Sequence, residues 1–386
     1  MEVKANIESF AKIKVIGVGG SGGSAVNRMI SSKIRGVDFL VANTDIQALH
    51  HSDAPVKLQI GKSITKGLGA GMDPELGKKA AEENQNEIRD ALAGADMVFI
   101  TCGMGGGTGT GAAPVVAELA KDIGALTIAV VSKPFTFEGA QRKTVAEKGW
   151  ESLASKVDAI ITVPNDKILQ ISDKKTTIRE AFEMADEVLQ QGVRGISELI
   201  TIPGEPNLDF NDVRAIMKGA GTALMGIGIG AGENRAVEAA KMAIASPLLD
   251  ISIEGARGVL FTITGSSNLG ILEINEAAKV ITSSTDPDAK VIFGAAIDDS
   301  MEDDVRITVI ATGFNDRDKI VSKAQFDKVY AERPSSMPSQ IMFSPAAPRT
   351  AAPMKTFKDD SGQKSDDKQD AMDDTEIPAF IRKKMM

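Results

Sequence analysis

Between residues 103 and 111 the chain reads Gly-Met-Gly-Gly-Gly-Thr-Gly-Thr-Gly, six glycines in nine positions. Lacking Cβ atoms, such a run exposes several backbone N–H groups at once and lets an anion come close to them. A helix opening near Thr108 adds the positive end of its dipole, and the hydroxyls of Thr108 and Thr110 add donors. That chemistry is the cradling of a phosphate chain. A second run, Gly17-Val18-Gly19-Gly20-Ser21-Gly22-Gly23-Ser24, fits G-x-G-x-x-G at Gly17, Gly19 and Gly22. Asp45 follows at the distance, ~20 residues on, where an NAD enzyme holds its ribose, so a dinucleotide-binding oxidoreductase is one candidate. A third stretch, 56–71, carries Gly61, Gly67, Gly69 and Gly71 and reads as a long surface loop. A dinucleotide site needs one glycine loop. Several loops converging on one ligand fit the longer phosphate chain of a nucleoside triphosphate.

Other chemistries have little material. The P-loop pattern G-x-x-x-x-G-K-[ST] is absent, because Gly105 to Thr110 lacks the lysine. Phosphate charge would then be met by backbone dipoles and a metal, and Mg²⁺ suits the task because it binds through phosphates with few protein ligands. His50 and His51 are the two histidines, too few for a histidine-rich zinc site or a Ser-His-Asp triad. Cys102, the single cysteine, excludes an internal disulfide, reads as a small buried hydrophobe, and fits a reducing cytosol. A net charge of −9 argues against a nucleic-acid footprint. No apolar run reaches the ~18 residues of a membrane span, and the first ten residues do not resemble a signal peptide.

The elements that must position the loops follow from periodicity. Apolar runs at 13–18, 37–42, 95–101, 125–131 and 157–163 read as buried strands, and helical patterns lie between them. Helices are expected at 25–32, from Pro74 to about Ala93 with Asp73 as N-cap, at 110–122, and to about Ala154 after the loop 134–139. Strands that are apolar throughout and alternate with helices indicate a parallel sheet covered on both faces. A long helix is expected over 176–200, with Ile178, Phe182, Ala185, Leu189, Val193, Ile196 and Ile200 near one face, broken by Pro203 to Asn207. Beyond it, helices near 210–218, 233–245 and 270–283 and strands at 221–230, 258–264, 290–296 and 305–312 suggest an α+β region with a mixed sheet. From about residue 315 charged, Pro, Ser, Gln and Met residues dominate, a composition that favours disorder. Apolar residues return at Ile377, Pro378, Phe380 and Ile381 beside Arg382, like a docking peptide on a tether. The residues alone lead to an NTP-binding α/β protein and do not name the base.

The segment GGGTGTG at 105–111 resembles the signature of the tubulin/FtsZ family. The segments GVGGSGG, Asn43-Thr44-Asp45, PFTFEGAQR at 134–142 and NLDFND at 207–212 agree with it, and the terminal peptide is similar to that of its bacterial cell-division branch. The resemblance implies a cytoskeletal GTPase with a Rossmann-like GTP-binding domain, a long connecting helix, a second α+β domain and a disordered tail. It implies that Gly19, Gly20, Ser21 and Gly22, together with Gly105, Gly106, Gly107, Thr108 and Gly109, hold the phosphates of GTP or GDP. Thr108, Ala70 and Gly71 would sit at the γ-phosphate, Glu138 and Arg142 at the ribose and phosphate side, and Asn43 in the same pocket. Phe182 would stack on guanine, and Asp186 would accept from its N1–H and N2–H₂. Ser21 and Ser24 stand where many members have glycine and asparagine, so Ser24 replaces an asparagine contact to guanine only in part. Ile202 stands where the family often has arginine. Asp209 and Asp212, supported by Asn207, would orient the attacking water in the site of a neighbouring subunit. No protein metal site is implied.

The expected organisation is a flexible N-terminus (1–12), a GTP-binding domain (13–175), a connecting helix (176–202), a C-terminal domain (203–314), a disordered linker (315–372) and a docking peptide (373–386). Expected partners are further copies of the chain, head to tail, and division proteins and membrane anchors reached through the tail. Direct membrane insertion is not expected. The expected location is the cytoplasm, at the division site. The alternatives are the NAD-dependent oxidoreductase and a non-hydrolysing tubulin-like scaffold.

Overall fold

The structure, a computed structural model, describes residues 11–173, 175–201, 209–246, 253–298 and 301–314. Asn207, Ile202, the Pro203 to Asn207 break, the linker and the terminal peptide lie outside these residues. The chain begins β1 (Ile13–Val18), α1 (Gly19–Ser31), β2 (Val37–Asn43), α2 (Ile46–His50), β3 (Val56–Gln59) and α3 (Lys62–Thr65). It continues α4 (Pro74–Glu83), α5 (Gln85–Leu92), β4 (Met97–Gly103), α6 (Thr108–Asp122), β5 (Leu126–Lys133), α7 (Ala140–Ala154), β6 (Ala159–Pro164) and α8 (Asn165–Ile171). The long helix α9 (Ile178–Thr201) leads to α10 (Phe210–Met217), β7 (Gly221–Gly230), α11 (Arg235–Ile244), β8 (Gly258–Gly265), α12 (Ile271–Thr282), β9 (Lys290–Ile297) and β10 (Val305–Thr312).

Hydrogen bonding orders the strands β3-β2-β1-β4-β5-β6-β7-β10-β8-β9. Pairing is parallel from β3 through β6 and on to the first three residues of β7. The rest of β7 pairs antiparallel with β10, β10 pairs antiparallel with β8, and β8 pairs parallel with β9. The mixed sheet expected beyond residue 220 is therefore joined edge to edge with the parallel one through β7. In the parallel half the order runs outward from β1 in both directions. β1 and β4 are neighbours whose following helices go to opposite faces, the switch point at which ligands of such sheets bind.

Both faces are covered, which explains why the strands are apolar along their whole length. Ile13 and Val15 of β1 face a core shared with Ala25, Val26 and Met29 of α1 and with Ala185, Leu189, Val193 and Ile196 of α9. Ile16 and Val18 face a second core with Ala80 and Ala81 of α4, Ile88 and Leu92 of α5, and Val116 and Ala120 of α6. A third core lies between α11, α12 and the mixed sheet, around Ala239, Ile281, Phe261 and Val309.

Four expectations need correction. The stretch 56–71 is not loop throughout: it holds β3 and α3, and its glycines form the connections, with Gly61 at φ 62° before α3. The helix from Pro74 is two, because the chain breaks at Asn84, whose Oδ1 accepts the Gly61 N–H at 2.9 Å. Helix α1 begins at Gly19, inside its glycine run and several residues before the apolar periodicity expected from residue 25 sets in, whereas α6 begins at Thr108 as expected. Finally, Ile178 and Phe182 leave the buried row of α9 and are 68% and 41% exposed.

Candidate functional site

The glycine runs meet at the carboxyl ends of the central strands. Gly19 follows β1 directly with φ 75°, and a Cβ on it would lie 2.9 Å from the Gly109 N. A Cβ on Gly107 would come within 2.8 Å of Ala70 and 2.9 Å of the Asp73 N, so the loop after α3 closes against the run at 103–111. Gly103 lies against the Ser21 hydroxyl, and the Thr44 and Thr108 hydroxyls are 2.7 Å apart. The turns after β1, α3 and β4 are thus packed closely together, and the turn after β2 joins them through the Thr44 hydroxyl. Gly20, Gly71 and Gly106 have open space where a Cβ would stand.

Helices α1 and α6 both start here, and neither has a side-chain cap. Their first-turn N–H groups are free of side-chain acceptors, and both dipoles point their positive ends at one place. Nearby helices differ. Asp45 Oδ1 accepts from the Gln47 and Ala48 N–H groups at 2.8 and 3.3 Å, and Asp73 Oδ1 accepts from those of Glu75 and Leu76 at 2.9 and 3.4 Å. The acids closest in sequence to the phosphate end are therefore engaged as caps.

From this floor a cleft of about 190 Å³ opens between Ser21, Ser24 and Met104 on one side and Phe182, Ala185 and Asp186 on the other. Phe182 and Asp186 are one helical turn apart on α9 and share a face. The Phe182 ring sits edge-on to Phe135 at 5.3 Å between centroids, and Phe135 stacks on Phe137 at 4.9 Å, so the half-exposed Phe182 is held by an aromatic row. Burial pushes the Asp186 carboxyl up to about 6, Arg28 pulls it down and Glu183 raises it further. Glu138 and Arg142 pair at 2.9 Å, and Glu138 also accepts the Phe135 N–H at 2.8 Å. The buried Arg142 Nε has no partner among the described residues.

Six expected site residues, Ser21, Ser24, Glu138, Arg142, Phe182 and Asp186, thus line one cleft above the glycines. Asn43 does not line it. It is buried in its turn, where its Oδ1 accepts the Asp45 N–H at 3.2 Å and its carbonyl accepts the Ile60 N–H at 3.0 Å. Asp209 and Asp212 are brought together, but at the start of α10 and not in this cleft. Asp209 Oδ1 accepts the Asp212 N–H at 2.9 Å, and Asp212 Oδ2 accepts the Asp209 N–H at 3.3 Å, a capping box. Sequence reasoning missed Asn165 and Ser132. Asn165 is 5% exposed, and its buried Oδ1 is unpartnered among the described residues and lines the cleft. Its place directly after Pro164, at the carboxyl end of β6, was the available signal. Cys102 is fully buried, and burial pushes its thiol up to about 12, so it is inert packing.

A larger cavity, about 240 Å³, lies between α9 and the faces of β7, β8, β9 and β10. Its walls are helix flank and sheet face, whose backbone groups are engaged in ladders, and Arg194 is paired with Glu198 at 2.6 Å. It offers no backbone nest for phosphate. Among the described residues no group of three His, Cys, Asp or Glu could hold a metal, and no helix is long and apolar enough to cross a membrane.

Comparisons with known proteins agree with this geometry. Residues 12–173 match the GTPase domain of the tubulin/FtsZ family, and residues 221–315 match the C-terminal domain of the FtsZ family. An FtsZ dimer from M. jannaschii, solved empty, is 45% identical, with a TM-score of 0.77 over 81% of this chain and 90% of that one. A tryptophan-to-tyrosine mutant of FtsZ from the same organism is 46% identical, with a TM-score of 0.77 over 80% of this chain and 92% of that one. CetZ2 from Haloferax volcanii, solved as a GTPγS-bound protofilament, shares the fold at 21% identity, with a TM-score of 0.69 over 83% and 99%. The chain belongs to the tubulin/FtsZ family of GTPases, cytoskeletal proteins that bind guanine nucleotides.

Proposed function

We propose that this member of the tubulin/FtsZ family hydrolyses GTP at a head-to-tail interface between its own copies and builds the filament of a cell-division ring. The observation that carries the reading is the incompleteness of one chain's site. Two uncapped helix N-termini and three glycine-rich turns, with the Asn43 to Asp45 turn beside them, make a phosphate cradle, while Asp45 and Asp73 are engaged as helix caps. A cradle without a free acid binds a triphosphate better than it cleaves one.

In this reading Gly19, Gly20, Ser21, Gly22 and the run Gly106 to Gly109 donate N–H groups to the phosphates, with Ala70, Gly71 and Thr108 at the terminal one, and Gly105, whose own N–H donates to Thr110 Oγ1 at 2.9 Å, shapes the run. Glu138 and Arg142 hold the ribose side. Phe182 stacks on the base, Asp186 accepts from guanine N1–H and N2–H₂, and Ser24 and Asn165 complete the polar rim. Asn43 supports the pocket through its turn. Mg²⁺, held through the phosphates, would neutralise their charge. Asp209 and Asp212 of the next copy, with Asn207, complete the site: a carboxylate there orients water for in-line attack on the γ-phosphorus as its bond to the bridging oxygen breaks, giving GDP and phosphate. A heterologous contact of this kind does not close, so it propagates into a filament. The dimeric FtsZ relative at 45% identity supports self-association.

Ile377, Pro378, Phe380, Ile381 and Arg382 are proposed to dock division proteins and membrane anchors, which places the filament in the cytoplasm at the division site. The NAD reading loses its ribose acid, because Asp45 caps α2. Light scattering after addition of GTP with Mg²⁺, with GDP as control and phosphate release followed in parallel, tests the proposal. Scattering and phosphate release with GTP alone are expected. Scattering without phosphate release would identify a non-hydrolysing scaffold instead.

A further inference from the structure

Thr44 lies between the end of β2 and the cap of α2 and is fully buried. Its hydroxyl is 2.7 Å from that of Thr108, the first residue of α6, 64 positions away in the chain. Water does not reach Thr44, so without Thr108 its hydroxyl would be stranded, and valine would fill the same volume without that demand. The turn around Thr44 is also tied to the neighbouring loop: the Ile46 N–H donates to the Gly67 carbonyl at 3.2 Å, and Asp45 forms an antiparallel bridge with Leu68.

We propose that Thr44 is a positioning residue for the terminal phosphate of the bound nucleotide, acting through the hydroxyl of Thr108. The proposal rests on the reading above, in which Thr108 meets the γ-phosphate. Either hydroxyl can donate in the pair as it stands. A phosphate oxygen carries only lone pairs, so it accepts a hydrogen bond from the Thr108 O–H. Thr108 Oγ1 then has only lone pairs to offer Thr44, and Thr44 must become the donor. The result is a directed chain, Thr44 to Thr108 to phosphate, in which each bond polarises the next. A diphosphate leaves the chain without its last acceptor. Thr44 therefore favours the triphosphate over the diphosphate without touching either.

The test uses the full chain and calorimetric affinities for GTPγS and for GDP. Thr44→Val is expected to weaken GTPγS about tenfold while leaving GDP within about twofold, and Thr44→Ser is expected to restore the wild-type ratio. Thr44→Ala carries the same expectation and serves if the valine variant does not fold. A merely structural Thr44 would lower both affinities together, and that result overturns the proposal. So does a valine variant that binds both nucleotides as wild type does, or a serine variant that restores nothing. A wild-type chain that binds neither nucleotide overturns the reading of the site itself, and the proposal with it.

Discussion

Replacing Asp186 with asparagine should strengthen the empty protein and weaken its hold on GTP. Burial raises the carboxyl from 3.8 to about 6. At neutral pH the folded, empty chain thus carries the charged form at a disadvantage of roughly 3 kcal/mol relative to the unfolded chain. The sign follows from the direction of the shift. A carboxyl whose folded value is raised stabilises while protonated, below 3.8, and that contribution is lost as pH rises through about 6. Asparagine removes the ionisation, so the nucleotide-free variant should melt several degrees above wild type at pH 7.5, and the gap should close near pH 4. Guanine has the opposite preference. Its N1–H and N2–H₂ lose a charged acceptor, and a hydrogen bond to a charged group contributes about 1.5–3 kcal/mol, so GTP affinity should fall roughly 10- to 100-fold. Xanthine carries a carbonyl in place of the 2-amino group, which asparagine can serve as donor, so XTP should gain on GTP. In wild type, GTP affinity should fall about tenfold per pH unit below about 6, and in the variant it should stay flat. Thermal melts without nucleotide and titrations with GTP and XTP read all of these. A variant less stable than wild type when empty at pH 7.5, or one that binds GTP unchanged, would refute the reasoning.

Three further outcomes are expected. Gly111→Ala would place a Cβ 1.9 Å from the Pro74 carbonyl oxygen, forcing α4 away from α6, so it should destabilise by at least about 2 kcal/mol in denaturant melts and weaken GTP binding; wild-type stability would show that the two helices separate freely. Asp212→Asn keeps an acceptor for the cap of α10 but removes the carboxylate, so GTP should bind normally while turnover falls at least about a hundredfold; surviving turnover would remove Asp212 from the mechanism. Deletion of residues 374–386 should leave GTP hydrolysis intact and abolish co-purification of division proteins, and retained partners would refute the docking role.

Much of this was legible in the chain because glycine and proline act through their own backbones. Asp73 before Pro74 announced a cap and a first turn, and the cap is there. From residue 210 onward, strands and helices fall within a few residues of where periodicity puts them, since the helices carry one apolar face and the inner strands β8 and β10 are apolar runs buried on both faces. Legibility failed where tertiary packing overrides local signal. The glycines around β3 and α3 read as loop, yet β2 supplies the ladder that holds β3. Phe182 has core spacing, but the aromatic row of Phe135 and Phe137 holds it in the cleft. Asn165 carries no motif, and only the convergence of β6 with the glycine turns gives it a role. Asp209 and Asp212 are the opposite case. The proposed function makes them catalytic in a neighbouring copy, and within one chain they form a capping box. A second copy is what can reconcile the two.

Whether catalysis needs that second copy is decided by phosphate release per subunit, measured from dilute to concentrated protein at saturating GTP and Mg²⁺. If the neighbour's acids complete the site, specific activity is near zero in dilute solution and climbs steeply as copies associate. A specific activity that stays constant across the range would mean that one chain cleaves GTP alone.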